Sequence, residues 1–504
     1  MYARIRSLGL RGVGGYEVVG EVYATGGLPR VDVVGLPDNA VREAADRVRA
    51  AIKNSGYEFP KGRVTINLAP ADTRKAGTVY DLPVLLAVLA ATGQIRAPLD
   101  SDMFFGELSL TGQLRPVSGA LPMALAAERC GAKRLFVPAD NAAEAAYAQG
   151  VEVYPVPDVG TLAQFLAGAP VLEPVTPRSI ETDNASYPDF SDVKGQEPVK
   201  RALEVAAAGG HNILLVGPPG SGKSMLARRL PGILPDMSRA EALGTTEIWS
   251  VAGKTGPDCP VVSNRPFLSP HQSSSSSALA GGASLLPGQM SLAHNGVLFL
   301  DELPEFHRDV LELLRQPLED GEITISRAAG STTYPARFML VCAMNPCRCG
   351  WYGHPSGRCT CSDRDIRKYQ QRISGPLLDR MDIMTEVPSL EYEELAARPE
   401  GESSAAVRER VNAARDRQTT RFSGGSVSCN AHMGPVEMEK YCSLDSECAD
   451  LMRAAFDALN LTARSYDRIR KVARTIADLA GSEAIRPEHI AEAVQYRTYD
   501  FREM

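Results

Sequence analysis

The chain has 504 residues, with 54 Lys plus Arg against 61 Asp plus Glu and a formal net charge of −7. At roughly 150 residues per domain this length predicts about three domains and excludes a small disulfide-stapled peptide. With 44% hydrophobic and 23% charged residues, the composition is that of a folded globular protein; its weakly acidic balance leaves any anionic ligand to local basic features.

No apolar run approaches the ~18 residues of a membrane span. The strongest, over 82–91, is followed by Thr92, Gly93 and Gln94 and reads as a buried helix. The N-terminus, Met1-Tyr2-Ala3-Arg4-Ile5-Arg6, lacks a secretory apolar core, so a cytoplasmic location with no membrane partner is expected. Residues 1–168 predict an α+β domain. Strands are expected over 17–23, 30–34 and 63–68, a helix over 40–52 capped by Asp38, then an extended stretch over 103–110. A helix near 121–130, a strand over 134–137 and a helical stretch over 141–149 follow. Residues 169–189, with Pro170, Pro174, Pro177 and Pro188, read as a linker. Residues 190–390 alternate β and α patterns, and 391–504 are mostly helical, most clearly over 459–480. No internal repeat stands out, and the serine tract 273–277 is expected to be a flexible loop.

The apolar strand Ile213-Leu214-Leu215-Val216 runs into Gly217-Pro218-Pro219-Gly220-Ser221-Gly222-Lys223-Ser224 and then a helical pattern. This is the strand, G-x-x-x-x-G-K-[ST], helix context of a phosphate-binding loop. Its glycines let backbone N–H groups close around the phosphates of ATP, Lys223 reaches the β/γ oxygens, and Ser224 ligates Mg²⁺. A second apolar strand, Val297 to Leu300, ends in Asp301-Glu302, where one carboxylate holds the metal's water shell and the next polarises the attacking water. A third strand over 338–343 leads to Asn345, placed to orient that water. Arg380, in Gly375-Pro376-Leu377-Leu378-Asp379-Arg380, has the setting of an arginine finger supplied across a subunit boundary. Arg464 is the candidate second sensor in the helical region; Arg372 and Arg468 are the nearest competitors for the two arginine roles.

Cys347-Arg348-Cys349 and Cys359-Thr360-Cys361 form C-x-C, nine residues, C-x-C. Four thiolates on a Gly-rich loop suit one structural Zn²⁺, with His354 as a substitute ligand and free or redox-active thiols as the alternatives. A β-hairpin is predicted over 322–337, with its turn at Ala328-Ala329-Gly330-Ser331, and Arg327 is a candidate phosphate contact on it. The loop 271–288 is a second element of the same kind.

These motifs identify the chain as a resemblance to the YifB/ComM family of magnesium-chelatase-like AAA+ ATPases. It extends through Ser291-Leu292-Ala293-His294-Asn295-Gly296 before the second strand and Lys471-Val472-Ala473-Arg474-Thr475-Ile476-Ala477-Asp478-Leu479 near the end. The resemblance implies an AAA+ P-loop core with a C-terminal helical lid and a homo-hexameric ring with ATP between subunits. Its hairpins would face the pore, and for the ComM branch it implies a motor on single-stranded or branched DNA that drives branch migration. The first 168 residues are similar to the proteolytic domain of Lon, of ribosomal S5 domain 2-like fold, through 106–116 and Lys75-Ala76-Gly77-Thr78. The catalytic serine and lysine positions of Lon fall at Val79 and near Leu121, so no protease is expected. The same fold contacts DNA in the recombination ATPase RadA/Sms; assembly or DNA contact is therefore expected here, with Lys75 and Arg74 as contact candidates. The alternative function is a protein remodeller or a chelatase-type motor subunit without DNA activity. The N-terminal domain argues against the chelatase reading.

Overall fold

The computed structural model describes residues 1–176, 179–180, 187–282, 284–327, 330–389, 401–425, 427–459 and 461–497. Parts of the predicted linker (177–178 and 181–186), the hairpin-turn residues Ala328 and Ala329, and the boundary at 390–391 lie outside them.

The N-terminal domain is built on strands β1 (Tyr2–Arg11), β2 (Gly14–Thr25), β3 (Arg30–Val34), β4 (Arg63–Ala69) and β5 (Asp102–Phe104). Helices α1 (Asn39–Asn54) and α2 (Asp81–Ala91) lie between them. There follow β6 (Glu107–Leu108), β7 (Leu114–Arg115), α3 (Ala120–Arg129), β8 (Arg134–Pro138), α4 (Ala139–Ala145), β9 (Glu152–Val156) and α5 (Val159–Leu166). One sheet has the order β3-β4-β2-β1-β5-β8-β9. It is antiparallel around β2 and parallel from β1 through β5 and β8 to β9. Helix α2 is apolar on every side and buried, as its composition predicts. Asp38 caps α1 as expected, its carboxylate accepting from the Val41 N–H at 2.8 Å. Strands β1 and β9 and helix α5 were not expected from the sequence.

The second unit opens with α6 (Glu197–Gly209), β10 (Ile213–Val216), α7 (Lys223–Arg229) and α8 (Arg239–Val251). It continues through β11 (Phe267–Leu268), α9 (Ser276–Ala280), α10 (Gln289–Leu292), β12 (Val297–Leu300), α11 (Arg308–Leu313) and α12 (Arg315–Asp320). The hairpin β13 (Glu322–Arg327) and β14 (Gly330–Pro335) precedes β15 (Met339–Met344), α13 (Asp363–Gln370), α14 (Gly375–Leu378) and β16 (Ile383–Glu386). The parallel sheet runs β11-β12-β15-β10-β16, and β10, β12 and β15 are buried throughout. Such two-sided burial is why these strands read as continuous apolar runs. The remaining helices, α15 (Ser404–Arg421), α16 (Pro435–Tyr441), α17 (Ser446–Ala458), α18 (Ala463–Leu479) and α19 (Pro487–Gln495), share one hydrophobic core with α6. No helix among the described residues is long and apolar enough to cross a membrane.

Two sequence expectations are corrected here. The serine tract is not all loop: Ser275 caps α9 by accepting from the Ala278 N–H, so three of the five serines start a helix. Gly330 and Ser331, expected in the hairpin turn, belong instead to β14, where they pair with Arg327 and Ser326.

The two units dock through α3 and α8. Glu144, buried on the N-terminal side, accepts from the Leu121 N–H at 2.9 Å, from the Thr255 hydroxyl at 2.8 Å and from the Ser250 hydroxyl. Gly119 N–H donates to the Ser250 carbonyl at 3.0 Å. Beside this seam, burial of Glu247 on α8 pushes its carboxyl up to about 7 from 4.5, opposed by the charge of Arg129. A carboxyl raised on folding contributes stability at low pH that is lost as pH rises from 4.5 toward 7, because the unfolded chain ionises first. Glu247→Gln is therefore expected to raise the melting temperature by a few degrees at pH 8 and to leave it unchanged near pH 4.5. Equal shifts at both pH values in a thermal scan would count against this account.

Candidate nucleotide-binding site

Four elements bring the predicted residues to the carboxyl edge of the parallel sheet, where ligands of such sheets bind. The loop Gly217, Pro218, Pro219, Gly220, Ser221, Gly222 joins β10 to α7. Gly220 and Gly222 have φ of 79° and 90°, left-handed values that an L side chain would strain. Lys223, the first residue of α7, is buried and folded back on the loop. Its ammonium donates to the carbonyls of Gly217 and Pro218 at 2.8 Å each and to Asn345 Oδ1 at 3.2 Å. Burial lowers its pKa, and Asp301 and Glu302 oppose that. These carbonyls hold the cation where phosphate oxygens would take it over. Ser224 Oγ donates to Asp301 Oδ2 at 2.6 Å, so the two expected magnesium-side groups already touch.

Glu302 follows Asp301 at the end of β12. It is exposed and has a φ of 53°, a conformation that costs a non-glycine residue roughly 1–2 kcal/mol. Its N–H donates to Asp301 Oδ1 at 3.0 Å, which fixes the turn. Asn345 follows β15. Arg372 also reaches this edge, bonding Glu305 at 2.8 Å and the Pro304 carbonyl at 3.3 Å.

Sequence reasoning missed Gln196. Its φ is 61° and it is buried; its amide donates to the Ser221 carbonyl at 2.9 Å and to the Pro388 carbonyl at 3.0 Å, while its Oε1 is buried without a partner. The signal was the Gly195-Gln196-Glu197-Pro198 start of α6, a turn forced ahead of a proline.

Arg380 and Arg464 do not reach this edge in their own chain. Both line a cavity of about 510 Å³ with Asn212, Phe338 and Asp382, the residues that precede β10, β15 and β16. They therefore sit at the amino edge of the sheet, opposite the phosphate loop. Arg380 is buried and ion-paired with Glu319, and its charge is disfavoured first by burial and then by Arg315, Arg468 and Arg464. Arg464 is exposed, 3.6 Å from Asp379. Arg468 is committed to Asp382 at 2.6 Å.

Asp382 ties this edge together. Besides Arg468, its carboxylate meets His211 Nδ1 at 3.4 Å and the Asn212 N–H at 3.2 Å, and it is held well below the usual carboxylate range despite burial, chiefly by Arg468 and His211. His211 in turn meets Thr475 of α18 at 2.8 Å.

The four cysteines converge. All four sulfurs lie within 4.8 Å of one another, with separations of 3.3, 3.8 and 3.7 Å among Cys347, Cys349 and Cys359. Four thiolates at about 2.3 Å from one tetrahedral ion stand about 3.8 Å apart, so the set fits a single zinc with Cys361 as fourth ligand. Burial raises the Cys349 thiol, yet backbone N–H groups of Trp351 and Thr360 and the neighbouring thiols draw it down to about 6. His354 is corrected as a substitute ligand: its ring nitrogens bond Ser356 and Ser389 at 2.7 and 2.8 Å.

Lys75 is corrected as a DNA contact. It is fully buried, and its ammonium donates to the carbonyls of Pro70 and Thr73. Arg74 beside it is exposed. Arg327 is exposed on the hairpin, with its guanidinium donating to the Gly281 carbonyl at 3.2 Å, so the hairpin and the 271–288 loop pack together. Val79 and Leu121 are buried apolar residues that supply no nucleophile.

The fold and site define a magnesium-chelatase-like AAA+ protein. The family described as "Magnesium chelatase, subunit ChlI" matches residues 189–395, "Subunit ChlI of Mg-chelatase" matches 20–141, and "Magnesium chelatase, subunit ChlI C-terminal" matches 401–497. The protein named YifB of Escherichia coli is 46% identical over 492 residues, 97% of this chain and 96% of its own length. Competence protein ComM of Haemophilus influenzae is 44% identical over 484 residues, 95% of this chain and 94% of its own. The magnesium-chelatase 38 kDa subunit of Rhodobacter capsulatus is 28% identical over 174 residues, covering 31% of this chain and 50% of that protein. The chain belongs to the YifB/ComM family of magnesium-chelatase-like proteins.

Replacing Asp382 by Ala would leave Arg468 and His211 facing a buried gap. Removing one partner of a buried pair costs about 3–5 kcal/mol, and Asp382→Ala is expected to lose that much in urea unfolding. A loss below about 1 kcal/mol would show that the hub carries no such weight.

Proposed function

We propose that the protein is a cytoplasmic ATP hydrolase working as a homo-hexameric DNA motor on single-stranded or branched DNA, promoting branch migration in homologous recombination or natural transformation. The observation that carries the reading is the split of the site. Lys223, Ser224, Asp301, Glu302 and Asn345 gather on one sheet edge, and Arg380 and Arg464 stand on the other, beside their own cavity. The loop and Lys223 bind the phosphates, and Ser224 and Asp301 hold Mg²⁺. Glu302 accepts the proton of the attacking water that Asn345 orients. Arg380, with Arg464 beside it, completes the site of a neighbouring copy, where a cation stabilises the charge that develops on the γ-phosphate. Hydrolysis then depends on assembly. The competence relative and the paired hairpin and loop, with Arg327 exposed on them, support DNA as the substrate, met through phosphates without sequence preference. The N-terminal domain serves assembly or DNA contact. The cysteine cluster holds a structural Zn²⁺.

The first measurement is steady-state ATP hydrolysis with and without single-stranded, double-stranded and four-way-junction DNA. Stimulation by single-stranded or branched DNA is expected, and Glu302→Gln is expected to bind ATP while turning over at least about a hundredfold more slowly. Hydrolysis indifferent to every DNA would replace this reading with a protein remodeller or chelatase-type motor, which the match to the chelatase 38 kDa subunit favours. Elemental analysis of the purified protein is expected to find about one zinc per chain, lost in Cys359→Ser.

A further inference from the structure

The cysteine cluster lies against the phosphate loop, and three separate contacts join them. Asn345, two residues before Cys347, accepts from the Lys223 ammonium at 3.2 Å. Gly350, directly after Cys349, is in van der Waals contact with Pro219: a methyl group at 350 would stand 2.4 Å from Pro219 Cδ and 2.5 Å from its Cγ. The φ of 86° at Gly350 is also one that only glycine adopts freely. On the far side of the loop, His354 Nε2 meets Ser389 Oγ at 2.8 Å. Ser389 follows Pro388, whose carbonyl takes the Gln196 amide that also holds the Ser221 carbonyl.

The segment from Cys347 to Cys361 contains no helix or strand. Fixing each residue of such a segment costs roughly 1–2 kcal/mol in backbone entropy. The segment packs little apolar surface to offset this: Trp351 is half-buried under His354 and Arg358, and most of residues 353–360 are exposed. Coordination of four thiolates is the one interaction in the segment large enough to fix it, and metal binding of this kind is folding free energy.

We propose that the cysteine cluster is a metal-held wall of the nucleotide site, so that metal occupancy sets nucleotide affinity through Gly350 on Pro219. The inference rests on the reading of the P-loop as an ATP site and of the cluster as a zinc site. With the metal bound, the loop holds Pro219, and through Ser389 and Gln196 the Ser221 carbonyl, in the shape that closes on phosphates. Without it the wall relaxes and the loop loses one side of its support.

The test titrates a fluorescent ADP analogue, in the presence of Mg²⁺, into the zinc-loaded full chain, into the chain stripped by a transition-metal chelator, and into Gly350→Ala. Zinc content and far-ultraviolet circular dichroism are read on each sample. The stripped chain is expected to keep its helical signal and bind about tenfold more weakly, with affinity restored by added zinc, the equivalent of one well-made hydrogen bond. Gly350→Ala is expected to keep its zinc and show the same loss. Affinities within about twofold of the loaded chain in both samples would overturn the proposal. Should stripping unfold the chain, Gly350→Ala decides alone: zinc kept and affinity lost supports it, zinc kept and affinity kept overturns it. Tight nucleotide binding by a chain whose four thiols hold no metal would overturn the metal half. A zinc-loaded chain that binds no nucleotide would instead overturn the ATP-site reading underneath it.

Discussion

The polarity of a parallel sheet governs this molecule. Because β12, β15, β10 and β16 all run the same way, every loop that leaves a strand emerges on one edge and every loop that enters one lies on the other. Phosphate loop, acid pair and Asn345 are all exits, and they meet without any long-range device. Arg380 and Asp382 belong to the entry into β16 and are carried to the opposite edge, and α18 brings Arg464 and Arg468 there as well. A chain of this topology cannot bring its own Arg380 to its own Lys223 without breaking the sheet.

The two edges are held in different ways, and each way suits its contents. On the amino edge the acidic groups find cations inside the chain: Asp382 takes Arg468, His211 and the Asn212 N–H, and Glu319 takes Arg380, whose Nε stays buried without a partner. Buried ion pairs of this sort add little net stability but make the loss of any one partner expensive, so they fix the geometry of the edge. The carboxyl edge is held by weaker means, with a lysine on backbone carbonyls, a glutamate in a left-handed conformation and a glutamine with one unpartnered oxygen. Such an arrangement has groups to spare for a ligand. Of the pairs named on the amino edge, Glu319–Arg380 is the outermost, since Glu319 is more than half exposed.

What the sequence reveals about this site is what lies within a few residues of a strand end. Lys223, Ser224, Asp301 and Asn345 were legible because strand, turn and polar residue are consecutive, and consecutive residues stay together in any fold. The four cysteines were legible for the same reason, their spacing closing on itself within one loop. Gln196 was not: it meets Ser221 and Pro388 across 25 and 192 residues, a closure that no local pattern encodes. Lys75 misled because a lysine in a polar loop is read as solvated, whereas here the loop curls back and two carbonyls replace the water. Strands β1 and β9 escaped because their patterns are short or broken by small residues. The serine tract misled because one serine's capping role outweighs the flexibility that its composition suggests.

The docking of the N-terminal domain completes the same logic. Its buried Glu144 holds two hydroxyls from the nucleotide-binding unit, and α3 packs against α8. At a second point the turn between β1 and β2 reaches the hairpin, where a side chain at Gly12 would meet Thr332 Cγ2 at 3.1 Å. The hairpin itself is clasped by the loop through Arg327 on Gly281 and Tyr334 on Leu285. Hairpin, loop and N-terminal domain thus contact one another around the segment between the phosphate loop and Asn345. The contact at α8 is a buried carboxyl with its hydrogen bonds satisfied, and the contact at the turn is a close approach made at a left-handed glycine, Gly12, with a φ of 63°.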